Sequence, residues 1–336
     1  MAIDQFGPAL PEPRGKLSAA VLAHLQPAPD TPGDRPELPG VHDVEAADAY
    51  GDDLQLALYL CYELHYRGFR GVDSALEWDP DLLALTARLE QHFLTALHAD
   101  VPGKGEVDDA VGELLAEPVH GSGVSHFLQE EGELWHVREY AAQRSLYHLK
   151  EADPHAWVLP RLWGKAKAGM AAVAYDEFGG GRAERVHAQL FADLMTGLEL
   201  DPAYGRYLDA CCAEVLCTVN LMSLLGLHRR LRGALVGHFA TVEITSSPAS
   251  RRLARAMKRT GAGAAAEFFY DEHVVADAVH EQVVRKDVIG GLLEAEPQLA
   301  PDVVFGIHAT TLLEERVDAR LLAKWQAGAS SLRTTL

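Results

Sequence analysis

The chain has 336 residues, of which 48% are hydrophobic and 24% charged, the balance of a soluble globular protein that buries a core without disulfides. Its formal net charge of −19 disfavours nucleic acid and anionic membrane surfaces as partners, because both are bound by basic faces. The four cysteines contain no C-x-x-C pair, which excludes zinc-finger and thioredoxin-like motifs.

The N-terminal segment differs in composition from the rest of the chain. Eight of the 17 prolines precede residue 40, which predicts an irregular arm over residues 1–45 with one short helix at about 16–26. No export signal is visible, and no run approaches the roughly 20 apolar residues of a membrane span. We therefore predict a cytoplasmic protein that has no membrane partner.

From Asp52 onward apolar residues recur with a helical period, and alternating runs bounded by hairpin turns are missing. The predicted fold class is therefore all-α, with a single helical domain over residues 46–330. After a helix that begins at Asp52, further helices are predicted at about 80–97, 132–152, 155–177, 183–198, 203–226, 229–243, 249–259, 264–285 and 301–326.

The most informative chemical pattern is His273-x-x-x-Asp277-x-x-His280. On a helix that turns about 100° per residue, these offsets place all three side chains within about 40° of one direction. Only valine and alanine lie between them, so the helix is predicted to be buried, and burial of these polar groups is costly unless they share protons or a cation. Two imidazoles and one carboxylate suit Fe(II), Mn(II) or Zn(II), whereas a metal-free hydrogen-bonded cluster is the alternative interpretation.

A second segment places Glu177 before three consecutive glycines and His187 after them. An unbroken helix would hold these two side chains about 80° apart, but the glycines allow the backbone to aim both inward. Glu184 and His187 form a Glu-x-x-His pair, which shares a helix face and recurs in helical di-iron sites. Taken alone, the segment also fits an ordinary helix–helix turn with exposed acids.

Other candidate residues are weaker on their own. Glu151 lies in the last turn of its predicted helix, where the helix dipole opposes a carboxylate unless a cation is near. Arg316 and His308 recur near helical spacing late in the chain, and they are candidates for binding a substrate carboxylate. A solvated helix face is the favoured alternative for this last pair.

Three of these stretches together carry a resemblance: the helix end at Glu151, the segment from Asp176 through His187, and the histidine–aspartate pattern of 273–280. The chain resembles the haem-oxygenase-like di-iron oxidase family of iron-containing redox enzymes. The resemblance implies a haem-oxygenase-like helical bundle with two irons at its centre. The ligands and catalytic residues that it implies are Glu151, Glu177, His187, His273, Asp277 and His280. Glu184 would be a seventh ligand, as in the N-oxygenating branch of the family, and Phe178 stands at a non-ligand position where tyrosine is more common.

The function implied by this resemblance is that of an O2-dependent non-haem di-iron oxygenase with two Fe(II) per protomer and a small-molecule substrate. An external reductase or a chemical reductant would supply electrons, since no nucleotide-binding fingerprint is present. Glu184 favours N-oxygenation of an amino-acid-derived amine in specialised metabolism over oxidative C–C cleavage or decarboxylation of a fatty or amino acid. The same architecture also supports metal-free proteins of the thiaminase-like or quinone-cofactor-biosynthesis type, which would not need all six ligands. We further expect a homodimer.

Overall fold

The structure is a computed structural model that describes residues 7–26, 37–101, 103–116 and 121–336, except for the side chain of Asp277. Within these ranges the chain forms helices and turns without a β-strand, so the all-α prediction is confirmed. None of the described helices has the length and apolar character needed to cross a membrane. The α-helices are α1 (Lys16–Leu25), α2 (Val41–Glu45), α3 (Asp52–Glu63), α4 (Pro80–Asp100), α5 (Val107–Leu115), α6 (Val124–Glu130), α7 (Leu134–His148), α8 (Asp153–Ala156), α9 (Gly164–Glu177), α10 (His187–Gly197), α11 (Ala213–Leu227), α12 (Arg232–Thr260), α13 (Ala264–Val283), α14 (Gly290–Ala295) and α15 (Ala300–Gln326).

The centre of the bundle is α12, which packs along both α13 and α15. Its first half is buried on all sides, and glycines set how closely it meets its neighbour. A Cβ on Gly237 would lie 2.0 Å from the carbonyl oxygen of Val303, and one on Gly306 would lie 2.0 Å from that of Ala234. Glycine at both positions therefore lets α12 and α15 cross at backbone contact.

Two predicted helix boundaries are wrong near the middle of the chain. The predicted helix over 155–177 is divided into α8 and α9, because Pro160 lies in a 3₁₀ turn between them and Gly164 takes a φ of +56°. The predicted helix over 203–226 begins only at Ala213, after a turn in which Gly205 has a φ of +70°. At both places a proline or glycine interrupts a helix that the spacing of apolar residues had predicted.

A third boundary is wrong in the opposite sense. The separate helices predicted at 229–243 and 249–259 are one continuous helix, α12, although Pro248 lies inside it. The extensive packing of α12 against α13 and α15 outweighs the backbone hydrogen bond that a proline removes. The short helices α2, α5, α6 and α14 were not predicted, because so few residues show little periodicity.

The short helix expected in the N-terminal arm is present as α1. Leu17, Val21 and Leu25 bury their side chains, and the helix packs against α3. The Asp53 carboxylate accepts hydrogen bonds from the backbone amides of Leu17 and Ser18 at 2.9 and 2.7 Å. This part of the arm thus joins the core. The division into an arm over 1–45 and a domain over 46–330 stays a prediction, and 27–36 lie outside the described residues.

Candidate metal centre

Glu151 lies in the turn between α7 and α8 and is buried. The helix ends at His148, four residues earlier than the sequence predicted, and Ala152 then takes a left-handed conformation with a φ of +70°. His148 Nδ1 lies 3.1 Å from Glu151 Oε2, and His273 Nε2 lies 3.8 Å from Oε1. Burial opposes the charged carboxylate, but these two imidazoles outweigh it and hold the pKa of Glu151 well below its usual value.

Glu177 and His187 meet because the chain folds back sharply between α9 and α10. Glu177 is the last residue of α9, and the three glycines that follow all have positive φ. A Cβ on Gly179 would lie 2.6 Å from the backbone nitrogen of Val186, so only glycine permits this close return. His187 then opens α10 with its Nδ1 2.8 Å from Glu177 Oε2. Burial lowers the pKa of His187, but contact with this carboxylate outweighs burial and raises it.

The predicted face of α13 brings His273 and His280 to the same region, both buried. The prediction that the whole helix is buried is wrong, because Val275 and Val279 on its other face are 72% and 61% exposed. His273 Nδ1 lies 2.7 Å from the carbonyl oxygen of Phe269, so Nδ1 carries the hydrogen and Nε2 is the nitrogen available to a metal. His280 Nε2 lies 3.3 Å from Asp176 Oδ2, and its Nδ1 faces the other donors. The side chain of Asp277 lies outside the described residues, so its role as a ligand stays a prediction.

Glu243 is a donor that the sequence analysis missed. It lies on α12, is 5% exposed, and places Oε2 3.1 Å from His280 Nδ1. A carboxylate inside the mostly apolar segment 233–244 was the available signal, because a buried glutamate needs a partner. Its position opposite α13 follows from helix packing, which the sequence pattern does not specify.

The buried donors form two groups that share Glu177. Within each group, one ligand atom from every residue lies within 4.8 Å of the others. The first group is Glu151, Glu177, His187 and His273, and the second is Glu177, Glu243 and His280. The two carboxylate oxygens of Glu177 divide between them: Oε2 lies beside His187, and Oε1 lies 3.5 Å from His280 Nδ1.

This donor set fits a pair of divalent cations. Three carboxylates and three imidazoles are buried together, which is unfavourable unless protons or cations compensate the charge. His187 Nδ1 and Glu177 Oε2 are close, but they are not aligned for a hydrogen bond, as expected of two atoms that share an ion. A void of about 20 Å³ lies among these side chains. Mixed imidazole and carboxylate ligands suit iron, manganese or zinc.

Three predicted site residues lie elsewhere. Glu184 is exposed on a 3₁₀ turn that ends before His187, so the expectation that the two share one helix face is wrong. The role of Glu184 as a metal ligand stays a prediction, and it would require the side chain to turn inward. Arg316 binds Asp100 at 2.7 Å, and His308 lies 3.8 Å from Glu113. Neither Arg316 nor His308 is among the residues that line the cavity described next.

A cavity of about 760 Å³ reaches the metal centre at Glu151 and His273 and extends between α7, α12, α13 and α15. This volume is within the range of small-molecule sites. In its wall, the Arg144 guanidinium binds both carboxylate oxygens of Glu314, at 2.9 and 2.6 Å. Apolar and hydroxyl side chains line much of the remainder.

A comparison with known protein families agrees with a metal site built from these residues. No curated protein matches the chain. The family model described as iron-containing redox enzyme matches residues 138–315, just over half of the chain. The matched segment contains every residue of the two donor groups. The chain therefore belongs to the iron-containing redox enzyme family.

Proposed function

We propose that this protein is an O2-dependent non-haem di-iron oxygenase that N-oxygenates an amino-acid-derived amine. The observation that carries the di-iron assignment is the position of Glu177, whose two oxygens lie beside imidazoles of different donor groups, 2.8 Å from His187 and 3.5 Å from His280. A carboxylate in this position suits a bridge between two ions. Membership of the iron-containing redox enzyme family favours iron as the metal.

In the proposed site, Glu151, His187 and His273 would hold one Fe(II), Glu243 and His280 would hold the other, and Glu177 would serve both groups. Asp277 is proposed as a further ligand. When bound, the iron pair supplies the electrons that activate O2, and an external donor restores them. The chain orients the ligands: Phe269 and Asp176 hold one nitrogen of His273 and of His280, so that the other nitrogen faces the site.

The charge of the cavity favours a cationic substrate. Beyond the ligand Glu151, five carboxylates and three guanidinium groups line it. They are Glu113, Glu281, Glu314, Glu315, Asp318, Arg144, Arg251 and Arg252. A wall with excess negative charge attracts an ammonium group and repels the carboxylate of a fatty acid. The amine would gain one oxygen atom from O2, while two electrons and two protons reduce the other atom to water.

The proposal is tested in two steps. Anaerobic Fe(II) titration, followed by metal analysis, should show saturation at about two Fe(II) per protomer. The loaded protein is then mixed with 18O2, a chemical reductant and one of L-lysine, L-ornithine, cadaverine or dodecanoate. We expect an amine product that is heavier by one 18O atom in the mass spectrum.

Each alternative has its own result in this experiment. Loss of CO2 from every accepted substrate would replace N-oxygenation by oxidative C–C cleavage. A titration without saturable uptake would end the di-iron assignment and favour a metal-free activity on the same fold.

A further inference from the structure

Two buried histidines outside the ligand groups, His155 and His238, lie next to the metal centre. Their Nε2 atoms are 3.0 Å apart, the distance of a hydrogen bond between the two rings. His155 lines the void of about 20 Å³ together with Glu151, Glu177 and Glu243. Neither histidine belongs to a donor group, so their pairing has no role yet in the proposed site.

The contacts of His238 determine which nitrogen of each ring carries hydrogen. Thr310 donates its hydroxyl hydrogen to the carbonyl oxygen of Gly306 at 2.7 Å. Its oxygen therefore accepts from His238 Nδ1, which lies 2.8 Å away and carries a hydrogen. In a neutral ring His238 Nε2 is then an acceptor, so His155 Nε2 must be the donor. The remaining nitrogen of His155, Nδ1, is left with a lone pair.

Burial keeps both rings neutral. His155 and His238 are 2% and 1% exposed. Burial lowers the pKa of His155 well below its usual value and that of His238 to about 4, while the nearby Glu314 opposes the shift in His238 only weakly. An uncharged imidazole has a lone pair on one nitrogen and a hydrogen on the other, so it can accept a proton on one side while it gives one up on the other, and the ring itself stays neutral.

The pair connects two spaces. His155 lines the void among the metal ligands, and Thr310 lines the large cavity. The proposed substrate requires a path for a proton. An amine binds as an ammonium ion and must lose a proton before its nitrogen forms a bond to oxygen. The ligand histidines are committed to the metal, so they are not available for this proton.

We propose that His155 Nδ1 accepts the proton of the substrate ammonium and that His238 and Thr310 relay a proton to the cavity. An N–H bond of the substrate breaks and one forms at His155 Nδ1. The Nε2 hydrogen of His155 passes to His238, the Nδ1 hydrogen of His238 passes to Thr310, and the hydroxyl proton leaves to water. No oxidant is consumed in this step. The inference rests on the proposed amine substrate.

The first test reads the tautomers in the metal-free protein, without turnover. Two-bond 1H–15N spectra of protein labelled with 15N-histidine at pH 7 should show His155 with hydrogen on Nε2 and His238 with hydrogen on Nδ1. In the Thr310→Val variant His238 loses its acceptor, so its Nδ1–H form should no longer dominate, and Thr310→Ser should restore it. Hydrogen on Nδ1 of His155, or a charged ring at either position, would overturn the relay.

The second test measures turnover of the amine that the mass-spectrometric panel identifies. Thr310→Val should lower its oxidation roughly 10-fold and His155→Phe roughly 100-fold, within the usual range for a positioned acid or base. Both variants should still bind two Fe(II). Thr310→Ser should recover most of the rate. Thr218→Val is the matched control, because Thr218 is an equally buried threonine whose hydroxyl donates to the Val215 carbonyl at 2.9 Å rather than bonding a histidine.

The two proposals fail in different ways. Full amine oxidation by iron-loaded Thr310→Val and His155→Phe would refute the relay and leave the oxygenase intact. Wild-type protein that binds iron but oxidises no amine would refute the proposed oxygenase, whereas the tautomers of the metal-free protein would still decide the hydrogen-bond order on which the relay depends.

Discussion

Among single residues, Glu177 has the most demanding position, because each of its carboxylate oxygens faces a different group of donors. Its role depends on charge as well as shape. A neutral amide at this position would keep the volume and one acceptor oxygen, but it would remove the negative charge that the two proposed cations would share. Each of the other donors belongs to a single group, so its loss would affect one of the two proposed ions first.

We therefore expect Glu177→Gln to bind one Fe(II) or fewer per protomer, against two in the wild type, and to lose amine oxidation at least about 100-fold. Anaerobic titration with metal analysis gives the stoichiometry, and circular dichroism checks the helix content. Asp193→Asn, which neutralises an exposed acid on α10, is the control. A Glu177→Gln variant that retains two tightly bound irons would contradict the bridging role.

At the scale of elements, the glycine turn between α9 and α10 decides whether Glu177 and His187 meet. All three glycines have positive φ, but their surroundings differ. A Cβ on Gly179 would collide with the backbone of Arg185 and Val186, whereas one on Gly181 would have no neighbour closer than 3.8 Å. Substitution at Gly181 thus tests the cost of a positive φ alone, whereas substitution at Gly179 adds a collision with the backbone at the start of α10.

We predict that Gly179→Ala weakens iron binding by more than about 10-fold, because the collision moves the start of α10 away from Glu177. Gly181→Ala should cost only the roughly 1 kcal/mol of a positive φ and leave iron binding nearly unchanged. Fe(II) affinities from competition with a chelator provide the comparison. Equal affinities in the two variants would show that the close return is not what holds His187 in place.

A buried ion pair ties the ligand-bearing turn after α7 to α3. Lys150, next to Glu151, and Glu63 are 1% and 0% exposed, and their charged atoms are 3.0 Å apart. Tyr204 donates to both oxygens of Glu63 at 2.7 and 2.8 Å, and the Lys150 ammonium lies 4.3 Å from the centre of the Tyr66 ring. Lys150 and Glu151 thus serve different sites from adjacent positions.

Removing one charge of this pair leaves the other buried and poorly compensated. We expect Lys150→Met to lower the free energy of unfolding by about 3 to 5 kcal/mol, measured by urea denaturation. The double variant Lys150→Met/Glu63→Leu should be more stable than the single variant, because it buries no unpaired charge. If the double variant is the less stable of the two, the hydrogen bonds of Glu63 matter more than its charge.

For the whole molecule, the neutral buried histidines give stability a pH dependence. His238 has a folded pKa of about 4, against 6.5 for an ordinary histidine, because burial disfavours its charged form. Between these values the unfolded chain binds a proton that the folded chain does not. The stability associated with this group is therefore complete above pH 6.5 and declines as the pH falls toward 4.

The expected loss over this range is about 3 kcal/mol from His238, since each pKa unit corresponds to about 1.4 kcal/mol. Urea unfolding of the metal-free protein at several pH values gives the slope. His238→Phe should reduce that slope, and His42→Gln, at a fully exposed position, should not change it. An unchanged slope in His238→Phe would show that other groups cause the acid sensitivity.

Much of this architecture follows from local patterns. The helical period of apolar residues predicted an all-α fold, and the spacing of His273 and His280 placed both rings on one face of α13. Both inferences hold because the period of a helix is a property of neighbouring residues. Proline and glycine limit such inferences: α12 continues through Pro248, whereas Gly164 and Gly205 interrupt predicted helices.

The assembly of the metal centre depends on contacts between distant segments. Glu243 and Asp176 contact His280 only because α12 and α9 pack beside α13. The residues next to them in the sequence do not indicate which helix they will contact. The same holds for the pairing of His155 with His238. The chain alone specified which residue types carry the chemistry, since side-chain identity and helical period are local. Which donors share an ion was decided by tertiary packing, because burial and the distances between helices arise only when the whole core closes.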